Sequence, residues 1–471
     1  MTLDGTNADR RNAVDLQVGQ LLRALDRSRM TARHVGLYVV SALGHFFDGY
    51  DVQVIGVILP AITAAYHLSA GEAGALGSSA AFGMLVGAVL VGFVSDRIGR
   101  KAALMIALLL FAIFSVLCAV APNVELLITF RVLTGVGLGA EVVTMYAYIS
   151  EFLPARSRGT LLTTSSLFWQ LASVVAALLA IVVVPSLGWQ GMFLIGGLPA
   201  VVVLIVWRGL PESVRFLIGR NRFTEATDIV RRLSSVAPED VPRDTETEAA
   251  ARTALSDDHL SVGSLFRGRF ARLTPGVLVI QFFNGFVLFA IVTWLPSILV
   301  AKGLTFVHSL LYVVVIVGVG AFGNVGAGLL LNRIGRRRAM LVFFVLGGVT
   351  LMIWGMQDSP AGVLVLGSIS SFFIYGVSGA VYTYTSEIYP TKLRATGTGW
   401  SGGAQRVGAI VAPSIIGVMI GAHLPIVSVF ILLAVGFIVA AVAVVFLTHE
   451  TGGRTLEEIE ASVVETAPEH H

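Results

Sequence analysis

Charge is scarce in this sequence. Of 471 residues only 13% are Asp, Glu, Lys or Arg and 55% are hydrophobic, whereas a soluble domain carries about 25% charged residues. That deficit excludes a water-soluble globule and points to a polytopic membrane protein. Cysteine is almost absent: Cys118 stands alone in an apolar segment, so no internal disulfide can form and no redox compartment can be inferred. There is no basic patch of the kind nucleic-acid binding needs, and no metal-ligand cluster or nucleophile with its base, so neither an embedded enzyme nor a resident cofactor is expected. The polar N-terminal stretch holds no short apolar core followed by a small-residue cleavage site, so a cleaved signal peptide is not expected either.

What is present is a series of apolar stretches long enough to cross a bilayer. They recur at 35–65, 72–95, 102–121, 124–150, 160–184 and 190–208, then at 275–300, 307–331, 339–357, 361–388, 396–421 and 425–447. The pattern predicts an all-α membrane protein with twelve transmembrane helices in two sets of six. A tail over 1–34, a bundle over 35–208, a charged linker over 209–272, a second bundle over 273–448 and a tail over 449–471 complete the chain. Short surface helices are expected in the linker at 222–233 and around 246–255. Residues 18–30, with Val18, Leu21, Leu22 and Leu25 beside Arg23, Arg27 and Arg29, read either as a helix on the membrane surface or as a disordered tail. Arg97, Arg100, Lys101, Arg156, Arg158, the linker, Arg333, Arg336, Arg337, Arg338, Lys392, Arg394 and Arg454 fall on one side, and the opposite loops offer only Lys302. Cytoplasmic loops carry the positive excess, so both termini are expected in the cytoplasm.

The two sets are copies of one another. His45-Phe-Phe-Asp48-Gly49-Tyr50 matches Gln281-Phe-Phe-Asn284-Gly285-Phe286, with 284 − 48 = 236. The loop from Gly92 to Lys101 matches that from Gly328 to Arg337 (328 − 92 = 236), and Ser150-Glu151-x2-Pro154-x3-Arg158 matches Ser386-Glu387-x2-Pro390-x3-Arg394 (386 − 150 = 236). Internal repeats of this kind place a transport site between the halves.

Several polar residues sit inside the spans. Asp48 and Asp51 each cost about 2.5–3.5 kcal/mol on insertion scales, so each must face a cavity or a partner; they read as functional acids or as bonds between helices. Three residues apart, they share a helix face and titrate as a coupled pair. Arg406, well inside the eleventh span, stays charged and meets either an anion, which its planar fork holds bidentately, or a permanent acid partner. Gly402, Gly403 and Gly408 leave room beside it. Arg131 is followed by Gly135, Gly137 and Gly139, a packing surface and not a nucleotide loop, since no strand precedes it. Glu141 reads as a further proton-coupling acid or as a structural hydrogen-bonding residue. Gln170 and Gln281 are amides in hydrocarbon that require partners. Phe47, Tyr50, Tyr146, Trp169, Phe282, Phe283, Tyr382 and Tyr384 stack on a flat ring or pack on lipid and neighbours. His45, one turn from Asp48, is a titrating group or a neutral hydrogen-bonded one.

The loop Gly92-Phe-Val-Ser-Asp96-Arg97-Ile-Gly99-Arg100-Lys101, repeated in the second half, resembles the signature of the major facilitator superfamily. Glu151-Phe-Leu-Pro154-x-Arg156-x-Arg158-Gly159, Pro211-Glu212-Ser213-Val214-Arg215-Phe216-Leu217 and the segment from His449 to Glu458 resemble its sugar-porter and organic-ion branch. The seventh span keeps only part of the sugar-porter pattern, in Gln281 and Asn284, and the Gly-Pro-x-x-Trp element is missing from 375–384. Asp48-Gly-Tyr-Asp51 is similar to the acid pair of the aromatic acid:proton symporters. Gln405-Arg406-Val407-Gly408 through Pro413 resembles the arginine motif of organic-anion carriers, and the tail with Trp169 and Gly188-Trp189 resembles bacterial nicotinate transporters.

The resemblance implies a proton-coupled importer of an aromatic or heteroaromatic monocarboxylate in the bacterial inner membrane, monomeric, with protons as the coupling ion. A sugar or polyol symporter and a non-transporting nutrient receptor on the same fold are the alternatives. It implies that Asp51 pairs with Arg131, that Asp48 shares the proton or shapes the cavity, and that Arg406 holds the carboxylate. Gln170, Trp169, Gln281, Asn284, Phe283 and Tyr382 would line the substrate. Asp96, Arg97, Arg100, Glu151, Arg158, Glu212, Arg333, Glu387, Arg394 and Glu450 would form an inner ion-pair gate between the halves.

Overall fold

The computed structural model describes residues 16–241, 262–268 and 270–450. The helix expected around 246–255 and the tail beyond Glu450 lie outside the described residues. In chain order the helices are α1 (16–27), α2 (Ala32–Tyr66), α3 (Ala70–Ile98), α4 (Arg100–Ala119), α5 (Val124–Phe152), α6 (Ala155–Ile195), α7 (Pro199–Gly209), α8 (Val214–Gly219), α9 (Phe223–Leu233), α10 (Phe270–Ala301), α11 (Phe306–Ile334), α12 (Arg336–Gly355), α13 (Pro360–Ile388), α14 (Thr391–Gly421) and α15 (Ile426–Leu447).

Short polar residues set several of the starts, because the first turn of a helix has N–H groups with no partner inside it. Ser69 caps α3, accepting from Glu72 N–H at 3.3 Å while the Glu72 carboxylate accepts from Ser69 N–H at 2.8 Å. Asn123, Ser213, Thr305 and Ser359 cap α5, α8, α11 and α13 in the simpler way. The repeated loop turns on Gly99 (φ 96°) and Gly335 (φ 89°), where an L side chain is strained. A carboxylate fills the space beside each: a Cβ would fall 2.5 Å from Glu212 Oε2 at Gly99 and 2.7 Å from Glu450 at Gly335.

Among the described residues eleven helical stretches are long and apolar enough to cross a membrane. One of them, Leu167–Val203, contains Gly188 with φ 70°, and the chain reverses there. Ser115 Oγ of α4 donates to the Phe193 carbonyl at 3.1 Å, and Val202, Val203 and Val206 share a cluster with Leu104 and Leu108. Residues 189–209 therefore run back along α4, and eleven stretches make twelve crossings, as the sequence predicts.

The halves repeat their packing. In the first, α3 packs on α5, α2 on α6, and α4 on α5 and α7; in the second, α11 packs on α13, α10 on α14, and α12 on α13 and α15. Between halves the contacts are α3 with α14, α6 with α11, and α2 with α10. The closest approaches are made by glycine, as in other tightly packed membrane helices. A Cβ on Gly56 would lie 2.0 Å from the Val292 carbonyl, one on Gly74 2.7 Å from the Pro413 carbonyl, and one on Gly417 2.4 Å from the Ala70 carbonyl. Ser78 adds a hydrogen bond to the Ile410 carbonyl at 2.6 Å. All these residues lie toward the end of the bundle away from Arg97 and Arg333.

The N-terminal residues resolve in favour of a helix, though not one laid on lipid. Val18, Leu21, Ala24 and Leu25 of α1 are buried in one cluster with Leu217, Ala226, Val230 and Leu233 of α8 and α9. Ser234 Oγ donates to the Ala24 carbonyl at 2.7 Å, and Arg158 pairs with Asp26 at 2.5 Å. Protein satisfies the apolar face that the sequence alone assigns to membrane or solvent.

Candidate functional site

The repeat carries through to the centre of the molecule. Gly49 of α2 lies on Trp169 of α6, where a Cβ would fall 2.4 Å from the Trp169 carbonyl; Gly285 of α10 lies on Gln405 of α14 at 2.1 Å. The offsets, 285 − 49 = 236 and 405 − 169 = 236, equal that of the sequence anchors. The same offset makes Gln170 the counterpart of Arg406 (406 − 170 = 236) and Tyr146 that of Tyr382 (382 − 146 = 236). One scaffold is thus decorated differently on its two walls. The first carries the acids Asp48, Asp51 and Glu141, whose counterparts are Asn284, Val287 and Val377; the second carries the cation Arg406.

Asp51 and Arg131 form a sealed ion pair. Arg131 Nη1 donates to both Asp51 oxygens at 2.8 Å, and the side chains are 1% (Arg131) and 2% (Asp51) exposed. The remaining Arg131 nitrogens, Nε and Nη2, are buried without a partner among the described residues, and the guanidinium lies 5.6 Å from the Phe193 ring centroid. Burial of such a pair is costly unless both charges are held, so losing either partner is far worse than losing both.

The other two acids have no such partner. Asp48 is 6% exposed and its Oδ1 is unbonded, with the Trp169 side chain beside it and the Arg406 charge facing it. Glu141 is 1% exposed, and neither of its oxygens has a partner among the described residues. Its carboxyl leans on Gly44 of α2, where a Cβ would fall 2.3 Å from Oε1. His45 meets the edge of the Tyr146 ring at 4.6 Å, and its Nδ1 is buried and unbonded.

On the opposite wall, Arg406 makes no hydrogen bond or ion pair with any described residue, and its Nε is buried. Tyr382 donates to Gln405 Oε1 at 2.5 Å and leaves its ring 53% exposed. Asn284 accepts from Ser378 Oγ at 2.8 Å and donates to Gln281 at 3.4 Å, so both amides of the seventh span are held inside the second half. Gln170 Oε1 is buried without a partner among the described residues. Phe283 differs from expectation: its ring packs on Gly436 of α15, because successive helical positions point about 100° apart and Gln281 and Asn284 already face inward. Tyr375 and Gln53 were not singled out by sequence. Tyr375 faces Trp169 across the halves at 6.5 Å with its hydroxyl buried and unbonded, and no motif marks it. Gln53, whose Oε1 is likewise unbonded, carries the signal that marks Gln170, an amide in hydrocarbon.

At the basic end Arg100 pairs with Glu151, and Arg336 with Glu387 at 3.0 Å, equivalent bonds in equivalent helices. Glu212 accepts from Lys101 N–H at 3.1 Å, and Glu450 accepts from Arg336 N–H at 2.7 Å. Arg158 and Arg394 donate through Nε to the carbonyls of Leu153 and Tyr389 at 3.1 and 3.3 Å. Asp96, Arg97 and Arg333 are exposed. Each of these bonds joins residues of one half, where the sequence reading expects charges that bind the halves to each other in another conformation.

The profile of the family described as "Sugar (and other) transporter" matches residues 37–462. A niacin transporter, NiaP, of Acinetobacter baylyi is 35% identical over 90% of this chain and 96% of its own length. A 4-hydroxybenzoate transporter, PcaK, of the same species is 30% identical over 86% of this chain and 89% of its own. A partially occluded inward open structure of the xylose transporter XylE from E. coli superposes with a TM-score of 0.73 at 21% identity, covering 90% of this chain and all of that one.

Proposed function

Because the chain belongs to the sugar (and other) transporter family of the major facilitator superfamily, we propose that it is a proton-coupled symporter importing an aromatic or heteroaromatic monocarboxylate of nicotinate or hydroxybenzoate type. The observation that carries this reading is Arg406, a permanent charge inside the bundle with no ion pair among the described residues. A guanidinium held this way is set up for a planar anion, and bidentate contact to a carboxylate is its strongest use. Trp169, Tyr375 and Tyr382 supply flat faces nearby for a ring. The relatives named for niacin and 4-hydroxybenzoate support the same class of cargo.

The mechanism is alternating access. With the basic loops in the cytoplasm by the positive-inside rule, the glycine contacts close the outer end. The substrate carboxylate binds Arg406 and neutralises the charge that acts on Asp48, and the Asp48 and Asp51 pair takes up the coupling proton as one unit. Asp51 stays tied to Arg131 until the site is loaded and reforms the pair after release. Arg336 with Glu387 is a partly exposed pair worth roughly 0–1 kcal/mol, so it tilts the conformational equilibrium and leaves the fold intact, whereas Arg100 holds a Glu151 carboxylate that is only 5% exposed. One proton with one monoanion moves no net charge, so uptake follows the pH gradient and not the membrane potential.

The test is uptake of labelled nicotinate, 4-hydroxybenzoate and xylose by proteoliposomes under an imposed pH gradient. Accumulation of an aromatic acid without a voltage-dependent current supports the reading. Accumulation of xylose alone, or binding of the acids with no accumulation, overturns it in favour of a sugar symporter or a receptor.

A further inference from the structure

Glu141 is the one intramembrane acid that the mechanism above does not use. We propose that it is a second proton-binding site, separate from the aspartate pair, whose proton crosses with both the empty and the loaded carrier. The inference rests on the monocarboxylate reading only for its exchange assay.

The buried charges balance only if Glu141 is neutral. Arg131 is matched by Asp51 through two bonds at 2.8 Å, and the Arg406 charge acts on Asp48 without a bond between them. Glu141 is left over, 1% exposed, and among the described residues neither oxygen is bonded and no cation is paired with it. An ionised carboxylate sealed in this way has no donor among the described residues to replace its hydration, a cost that binding a proton avoids. When a substrate carboxylate takes Arg406, Asp48 loses its counter-charge too. The empty carrier therefore closes with one proton, on Glu141, and the loaded carrier with two. The difference remains one proton per monoanion, so no redox or chemical step is involved: each proton comes from water on the open side and returns to water on release.

The surroundings of Glu141 fit a proton site. Gly44 admits the carboxyl against α2 one turn before Asp48, with no methyl group between them. The titratable groups that act on it are Asp48 from α2 and Tyr146 from its own helix; His45 meets the Tyr146 ring, and Tyr382 lies beyond Tyr146. On α3, Glu72, Asp96 and Arg97 lie at the helix ends, and on α4 Arg100 and Lys101 lie at the start and Cys118 stands near Arg131 and Asp51. None of these supplies a balancing cation.

Two measurements on the full-length reconstituted protein test the proposal. The first is the alkaline fall of nicotinate exchange at equal pH on both sides. Wild type needs two protons to cross loaded, so its rate drops by up to about a hundredfold per pH unit, and Glu141→Gln and Glu141→Leu, which need one, by about tenfold. An unchanged slope in both variants overturns the proposal. The second needs no substrate: acid-minus-alkaline infrared difference spectra should show a protonated carboxyl band that Glu141→Gln removes. Persistence of every such band in that variant overturns the assignment. If wild type exchanges neither nicotinate nor 4-hydroxybenzoate, the monocarboxylate reading fails while the infrared result still decides on Glu141.

Discussion

Asp51→Asn tests the coupling reading at its tightest point. The substitution keeps the shape and removes one charge from a pair in which both partners are almost wholly sealed. Arg131 then keeps one weak acceptor, and its Nε and Nη2, already without partners, gain none. Breaking a buried pair from one side costs about 3–5 kcal/mol, and the retained amide oxygen puts the expectation near the lower figure. Removing both charges in Asp51→Asn with Arg131→Met should recover most of that loss, since paired removal is often neutral. Thermal unfolding of the purified single and double variants reads the first part. For function, the freed Arg131 charge falls to the remaining aspartate, so pH-driven accumulation should vanish while substrate exchange survives. Accumulation by Asp51→Asn at the wild-type level refutes Asp51 as part of the coupling unit. A double variant as unstable as the sum of the singles refutes the buried-pair account.

Arg406→Ala should weaken binding of nicotinate by about ten- to a hundredfold, the equivalent of a hydrogen bond to a charged group, and spare nicotinamide; competition binding with both compounds reads it, and equal losses remove the carboxylate contact. Gly56→Ala puts a methyl group 2.0 Å from the Val292 carbonyl, so it should favour separation of the outer end. Increased labelling of a cysteine placed at the far end would register that shift, and unchanged labelling would count against the glycine contact as the seal. Glu387→Gln should alter stability by no more than about 1 kcal/mol while changing the balance of conformations, since its partner Arg336 is 21% exposed. A large drop in unfolding midpoint would show that the pair holds the fold.

Much of this arrangement was legible because it is written twice. The offset of 236 that joins the sequence anchors also joins Gly49 on Trp169 to Gly285 on Gln405, and Arg100 with Glu151 to Arg336 with Glu387. The Asp51 and Arg131 bond was implied by resemblance, and its geometry agrees. Phe283 was misjudged because an aromatic run gives no hint of which ring faces inward. Tyr375 was missed because a buried tyrosine in an apolar helix looks like ordinary packing until its hydroxyl is seen to lack a partner. The docking of α1 on α8 and α9 was beyond the pattern, which shows an apolar stripe but not what covers it. The residues expected to form a gate lie at the basic end, and their bonds here stay within one half, which a sequence pattern does not show.

The glycine contacts at the outer end divide the chain into parts with different freedom to change. Backbone lies on backbone at Gly56, Gly74 and Gly417, so almost no side chain can be admitted there without prying the halves apart. The proposed substrate site is made of side chains, and equivalent positions already hold residues as different as Gln170 and Arg406 or Asp48 and Asn284. Cargo can therefore be redesigned at the walls, by nature or by hand, while the closing surface is left alone. A library aimed at new substrates should randomise the first and spare the second.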